Sequence, residues 1–122
     1  MKIYVCKKCG NVVLKLEDKS EALVCCGDKM ELVEANTTEA ATEKHLPVYE
    51  IKDGIINIKV GEVEHPMEDD HYIMWIAQVS DNETTRIRLH PNDTTEVKFR
   101  YIPNSTLYAY CNKHGLWKAE VK

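Results

Sequence analysis

An all-β chain in two parts, a small cysteine-bearing β module followed by a seven-stranded antiparallel sandwich of immunoglobulin-like class, is predicted by three features of the sequence. Short β-rich runs with period-two alternation recur from Pro47 to the C-terminal end. Clusters of Gly, Pro, Asn, Asp and Ser separate these runs. Residues 1–36 hold four of the five cysteines and little apolar content, so they cannot share in one large core.

In the N-terminal part, the runs Ile3–Val5, Val12–Leu16 and Met30–Val33 flank cysteine turns at Cys9-Gly10 and Cys26-Gly27. The polar, small-residue stretch from Ala35 to Thr42 has no strand period and only a weak helical signal. It marks the boundary between a domain of residues 1–36 and one of residues 37–122. Beyond it, Val48–Lys52 and Ile55–Val60 are joined by Asp53-Gly54, and Ile56, Ile58 and Val60 alternate with polar neighbours. Tyr72–Ser80 reads as a strand with Ile73, Trp75, Ala77 and Val79 on one face. Thr85–Leu89 follows after Asp81-Asn82, and Glu96–Ile102 after Pro91-Asn92-Asp93. Leu107–Cys111 and Leu116–Val121 close the sandwich after Pro103-Asn104-Ser105.

The chain has 122 residues, 20 acidic against 16 basic, and a net charge of −4. That balance provides no overall field for nucleic acid or an anionic membrane surface. No apolar run reaches the length of a bilayer span or a signal peptide, and the odd cysteine count with an adjacent pair does not suit a disulfide framework. A reducing, cytoplasmic setting is expected, in which CxxC patterns serve metal or redox chemistry.

The cysteines and histidines fall into two sets. Cys6, Cys9, Cys25 and Cys26 offer four thiolates, the supply for a closed tetrahedral site. The vicinal pair lacks the usual two-residue bite and should distort the tetrahedron, and the spacing leaves both zinc and iron open. His45, His65, His71, Cys111 and His114 stand beside loops and turns that converge at one end of a sandwich. Four imidazoles and one thiolate exceed what a tetrahedral ion uses and favour iron, with the imidazoles in a plane, the thiolate axial and the opposite position open. A thiolate opposite an open iron position pushes electron density toward whatever binds there, which suits the reduction of an oxygen species. His90 shares a polar face with Arg86 and Arg88 and reads as a surface residue.

The motifs Cys6-x-x-Cys9-Gly10, Cys25-Cys26-Gly27, Glu43-Lys44-His45-x-Pro47, His65-Pro66-Met67 with His71, and Tyr110-Cys111-Asn112-x-His114-Gly115-x-Trp117-Lys118 span the whole chain. Together they resemble the two-iron superoxide reductases of the desulfoferrodoxin family. The resemblance implies a desulforedoxin-like module with a rubredoxin-like iron at Cys6, Cys9, Cys25 and Cys26. It also implies a catalytic square-pyramidal iron with His45, His65, His71 and His114 equatorial and Cys111 axial. Two mononuclear iron ions per chain follow.

By the same resemblance, Lys44 approaches the open position and Glu43 occupies it when the iron is oxidised. The expected activity is one-electron reduction of superoxide to hydrogen peroxide, a detoxification of oxidative stress, with electrons from rubredoxin or a similar small donor. A homodimer is also expected. The competing readings are a non-enzymatic iron electron-transfer protein and a zinc-ribbon interaction module. Colour separates the last of these, since ferric thiolate sites absorb visible light and zinc sites do not.

Overall fold

A computed structural model describes residues 2–37 and 42–122, with side chains at 2–37 and 44–122. The chain divides into two compact units, Met1–Glu34 and Ala35–Lys122. In the first, β1 (Lys2–Val5) lies between β2 (Val12–Lys15) and β5 (Glu31–Val33), both antiparallel to it. A two-stranded ribbon of β3 (Val24–Cys25) and β4 (Asp28–Lys29), absent from the sequence-based expectation, carries the vicinal cysteines. Among the described residues Tyr4, Cys6 and Met30 form a small buried cluster in this unit, with Val13, Leu23 and Cys25 packed on it, and Ile3 is buried as well. So small a core leaves much of the stabilisation to the sulfur cluster.

The second unit begins with one helical turn, α1 (Thr42–His45). One sheet has the order β10-β7-β6, from β6 (Pro47–Lys52), β7 (Ile55–Val60) and β10 (Glu96–Arg100). The other has the order β12-β11-β8-β9, from β8 (Ile73–Val79), β9 (Thr84–Arg88), β11 (Thr106–Cys111) and β12 (Gly115–Glu120). All seven strands are those expected, with ends shifted by a residue or two. Asp53 and Gly54 both take positive φ, 53° and 77°, the conformation a two-residue hairpin needs to match strand twist. Asn92 and Asn104 hold left-handed positions in two of the three other expected turns.

The core between the sheets is built from Ile56, Ile58 and Val60 of β7, Val97 and Phe99 of β10, Ile73 and Ile76 of β8, and Leu107, Ala109 and Cys111 of β11. Gln78 spans the two sheets: its amide donates to the Arg100 carbonyl at 2.9 Å and its carbonyl accepts from Ser105.

The simple alternation expected for β8 does not hold. Tyr110 pairs with Trp75 but Cys111 pairs with Ile73, so Met74 is an extra residue and β8 bulges. Ile73 and Ile76, three residues apart, therefore both reach the core, each 0% exposed. The bulge lies beside Cys111, at the end of the sheet where the candidate site forms. No helix among the described residues is long and apolar enough to cross a membrane.

Candidate metal centres

The Sγ atoms of Cys6, Cys9, Cys25 and Cys26 lie within 4.8 Å of one another. Cys6 and Cys9 come from the turn after β1, where the Gly10 N–H donates to the Cys6 carbonyl at 2.8 Å. Cys25 ends β3, and Cys26 adopts φ 53°, which brings two adjacent sulfurs to one place. The Cys9–Cys25 and Cys25–Cys26 sulfur separations are 3.6 and 3.9 Å. They bracket the edge of about 3.8 Å that a tetrahedron with ~2.3 Å metal–sulfur bonds requires.

The electrostatics of this cluster call for a cation. The Cys9 amide, helped by that of Lys8, lowers the Cys6 thiol to about 6. Crowding against Cys9, then Cys25 and Cys6, drives Cys26 up to about 12. Four thiolates so close can be ionised together only around a positive ion.

The second set assembles from three places in the chain. His45 ends α1; His65 and His71 lie on the loop between β7 and β8; Cys111 and His114 bound the turn between β11 and β12. His45, His71, Cys111 and His114 each offer a ligand atom within 4.8 Å of all the others. His65 joins them through His45, Nε2 to Nε2 at 3.1 Å. The four rings form a closed cycle in which each stands nearly perpendicular to the next: His45–His65 4.6 Å and 79°, His65–His71 4.8 Å and 78°, His71–His114 5.0 Å and 80°, His114–His45 4.9 Å and 86°.

The spacing of the nitrogens distinguishes the coordination geometry. His45 Nε2 lies 3.0 Å from His114 Nδ1 and 3.1 Å from His65 Nε2. With metal–nitrogen bonds of ~2.1 Å, a 90° angle gives an edge of about 3.0 Å and a tetrahedral angle about 3.4 Å. Both edges at His45 match the right-angled value.

The ring's protons agree. His65 Nδ1 donates to the Pro66 carbonyl at 2.7 Å, leaving a lone pair on Nε2, and burial lowers this imidazole to about 4, so it is neutral at physiological pH. A single proton on His45 Nε2 cannot serve contacts to two neighbours, and His71 Nε2 is buried with no hydrogen-bond partner. A metal ion at the centre satisfies all of these atoms at once.

Cys111 approaches this ring from the core and is 0% exposed. Burial raises its thiol pKa, opposed by the amides of His114 and Lys113. Such a thiolate is stable only beside a cation.

The surrounding residues hold the ring. Trp117, 1% exposed, stacks on His45 at 4.9 Å and 26°, and its indole N–H donates to the His114 carbonyl at 3.1 Å. Asn112 accepts from the Tyr72 amide and donates to the Asp70 carbonyl, both at 2.9 Å, tying the Cys111 turn to the His71 loop. That loop is closed by the paired Glu68 and His71 and anchored by Met67, which packs on the core. Trp117 and Asn112 stood inside a recognised motif, but sequence alone did not assign them these tasks. His90 is exposed, beside Asp93 and outside both clusters. Lys44 is exposed on α1, and the side chain of Glu43 lies outside the described residues.

Residues 37–120 match the family described as desulfoferrodoxin, and residues 1–33 match its N-terminal domain. The chain belongs to the desulfoferrodoxin family. It is 45% identical over 122 residues to the desulfoferrodoxin of Syntrophotalea carbinolica, covering 98% of this chain and 96% of that one. The superoxide reductase of Pyrococcus horikoshii is 32% identical over 100 residues, covering 66% of this chain and 87% of its own. The crystal structure of the superoxide reductase from Treponema pallidum superposes with a TM-score of 0.74 at 27% identity, covering 98% and 99% of the two chains. The four-sulfur and four-histidine, one-cysteine sets correspond to the two mononuclear irons of a two-iron desulfoferrodoxin.

Proposed function

We propose that this chain is a superoxide reductase: superoxide takes up one electron and two protons and leaves as hydrogen peroxide, with no dioxygen formed. The ring of imidazole nitrogens, with edges of 3.0 and 3.1 Å at His45, closed from the core by Cys111, supports this most directly. In this reading His45, His65, His71, His114 and Cys111 hold the catalytic iron, and Cys6, Cys9, Cys25 and Cys26 hold the other. Iron held by these residues would supply one-electron redox chemistry and a Lewis-acid site for the anion.

The protein does the rest. Lys44 would draw the anion in and order water for protonation, Cys111, buried on the core side of the ring, would hold the iron and favour electron transfer, and Glu43 would close the site after turnover. Trp117 and Asn112 keep the ring square. A small reduced protein of rubredoxin type restores the electron, and the chain works as a cytoplasmic homodimer in detoxification. Relatives named superoxide reductase, including those of Treponema pallidum and Pyrococcus horikoshii, support the reading.

Generating a superoxide pulse over the reduced protein tests the activity. One peroxide per superoxide with no dioxygen is expected; dioxygen at half the superoxide consumed would mean dismutation, and an unchanged decay would leave an electron carrier. The two irons are also expected to be separable. Cys9→Ser should lose the first iron and destabilise the N-terminal unit, while the superoxide rate of the second site stays close to wild type. A large fall in that rate would show that the first iron takes part in the chemistry.

A further inference from the structure

Gly61 is buried, with φ +82°, between the two segments that carry His45 and His65. A Cβ at this position would lie 2.5 Å from the Lys44 carbonyl oxygen, 2.5 Å from the Val63 carbonyl oxygen and 2.6 Å from the Lys44 carbonyl carbon. These distances are about 1 Å inside the ~3.5 Å at which such atoms touch. All three atoms are backbone, so no side chain can swing aside to make room. The Gly61 N–H donates to the Leu46 carbonyl at 2.9 Å and holds the same segment just after His45. One residue thus grips the chain on both sides of His45 and abuts the peptide two residues before His65.

We infer that Gly61 is a positioning residue that sets the separation of His45 and His65, and with it the place of Lys44. This rests on the iron-site reading of the histidine ring. The missing Cβ lets the two backbones close in until the His45 and His65 Nε2 atoms stand 3.1 Å apart. A side chain wedged at 61 pushes the Lys44 and Val63 carbonyls away and opens that edge of the square.

Gly54 supplies the control, because it has nearly the same φ, +77°, and nothing within 4 Å of a Cβ. Alanine at either position incurs left-handed strain, but only alanine at 61 meets backbone. The experiment follows the loss of second-site iron to an added ferrous chelator in wild type, Gly61→Ala and Gly54→Ala, with the first-site iron as internal reference. Gly61→Ala is expected to release second-site iron at least about tenfold faster, within the range seen when ligand-orienting partners are lost, and to shift the visible band of the oxidised site. Gly54→Ala should match wild type in both.

Gly61→Asn separates the wedge from the strain, since Asn tolerates the left-handed region yet still places a Cβ against the carbonyls. It is expected to lose iron as Gly61→Ala does. Wild-type retention in either Gly61 variant, equal losses at 54 and 61, or failure of both Gly61 variants to fold would overturn the inference. Iron retention is read without superoxide, so a wild-type protein that binds iron but does not reduce superoxide would refute the proposed activity and leave this assignment standing.

Discussion

Cys111→Ser protein is expected to fold, keep its first iron, and lose both the visible band of the oxidised second site and its superoxide reductase activity. The change removes little volume, and residue 111 sits in a core built by Ile58, Ile73, Leu107 and their neighbours, so packing survives. The chemistry does not. Cys111 is 0% exposed, and only a nearby cation together with the His114 and Lys113 amides stabilises its charge. Serine in the same place stays protonated, donates little electron density and prefers harder metals. Activity should fall at least about a hundredfold, the upper end of what losing even an outer partner of a metal ligand costs. Retention of the band in Cys111→Ser protein would mean that another group supplies the sulfur and that the description of the site is wrong.

Lys44→Ala is expected to keep the iron and spectrum of the second site and to react with superoxide roughly tenfold more slowly at low salt, within the range of electrostatic steering. Two other lysines on the site's flanking segments each face a carboxylate. Lys113 lies 3.9 Å from Asp70, and Lys118 lies 3.8 Å from Glu120. Among the described residues Lys44 forms no ion pair. With a net charge of −4 and exposed Glu68, Asp69 and Asp70 beside ligand His71, an incoming anion is drawn chiefly by Lys44, which among the described residues next to the ligands has no ion pair. Rates measured against ionic strength should show a weaker salt dependence in Lys44→Ala, and Lys44→Arg should recover most of the rate. Identical rates and slopes in all three proteins would remove Lys44 from the mechanism.

Most of the sandwich was legible because its strands bury one face, and Ile56, Ile58 and Val60 write that face as plain alternation. Asp53-Gly54, Asn92 and Asn104 announced their turns for the same local reason, a backbone that few other residues adopt. The ligand sets were legible because cysteine and histidine carry their chemistry in their names. What escaped the sequence depends on partners far along the chain. The Met74 bulge exists because β11 skips a residue opposite it, and the division into sheets of three and four strands is a matter of pairing. Trp117 is an aromatic like any other until His45 is found beneath it, and Gly61 is an ordinary turn residue until the Lys44 carbonyl is found against it.

The span of chain enclosed by each cluster bears on how the protein is made. Cys6 and Cys25 are 19 residues apart, whereas His45 and His114 are 69 apart. Closing the longer loop costs only about 1 kcal/mol more of chain entropy. The sharper difference is in order: the four sulfurs are all present once Cys26 has left the ribosome, while the histidine ring lacks a corner until His114 has emerged and β11 has paired with β8 and β12. The first metal can thus take part in folding its own unit, and the second must be loaded into a sandwich already built. Starved of iron, the cysteine unit would fail to fold, whereas the sandwich would fold and stand without its metal.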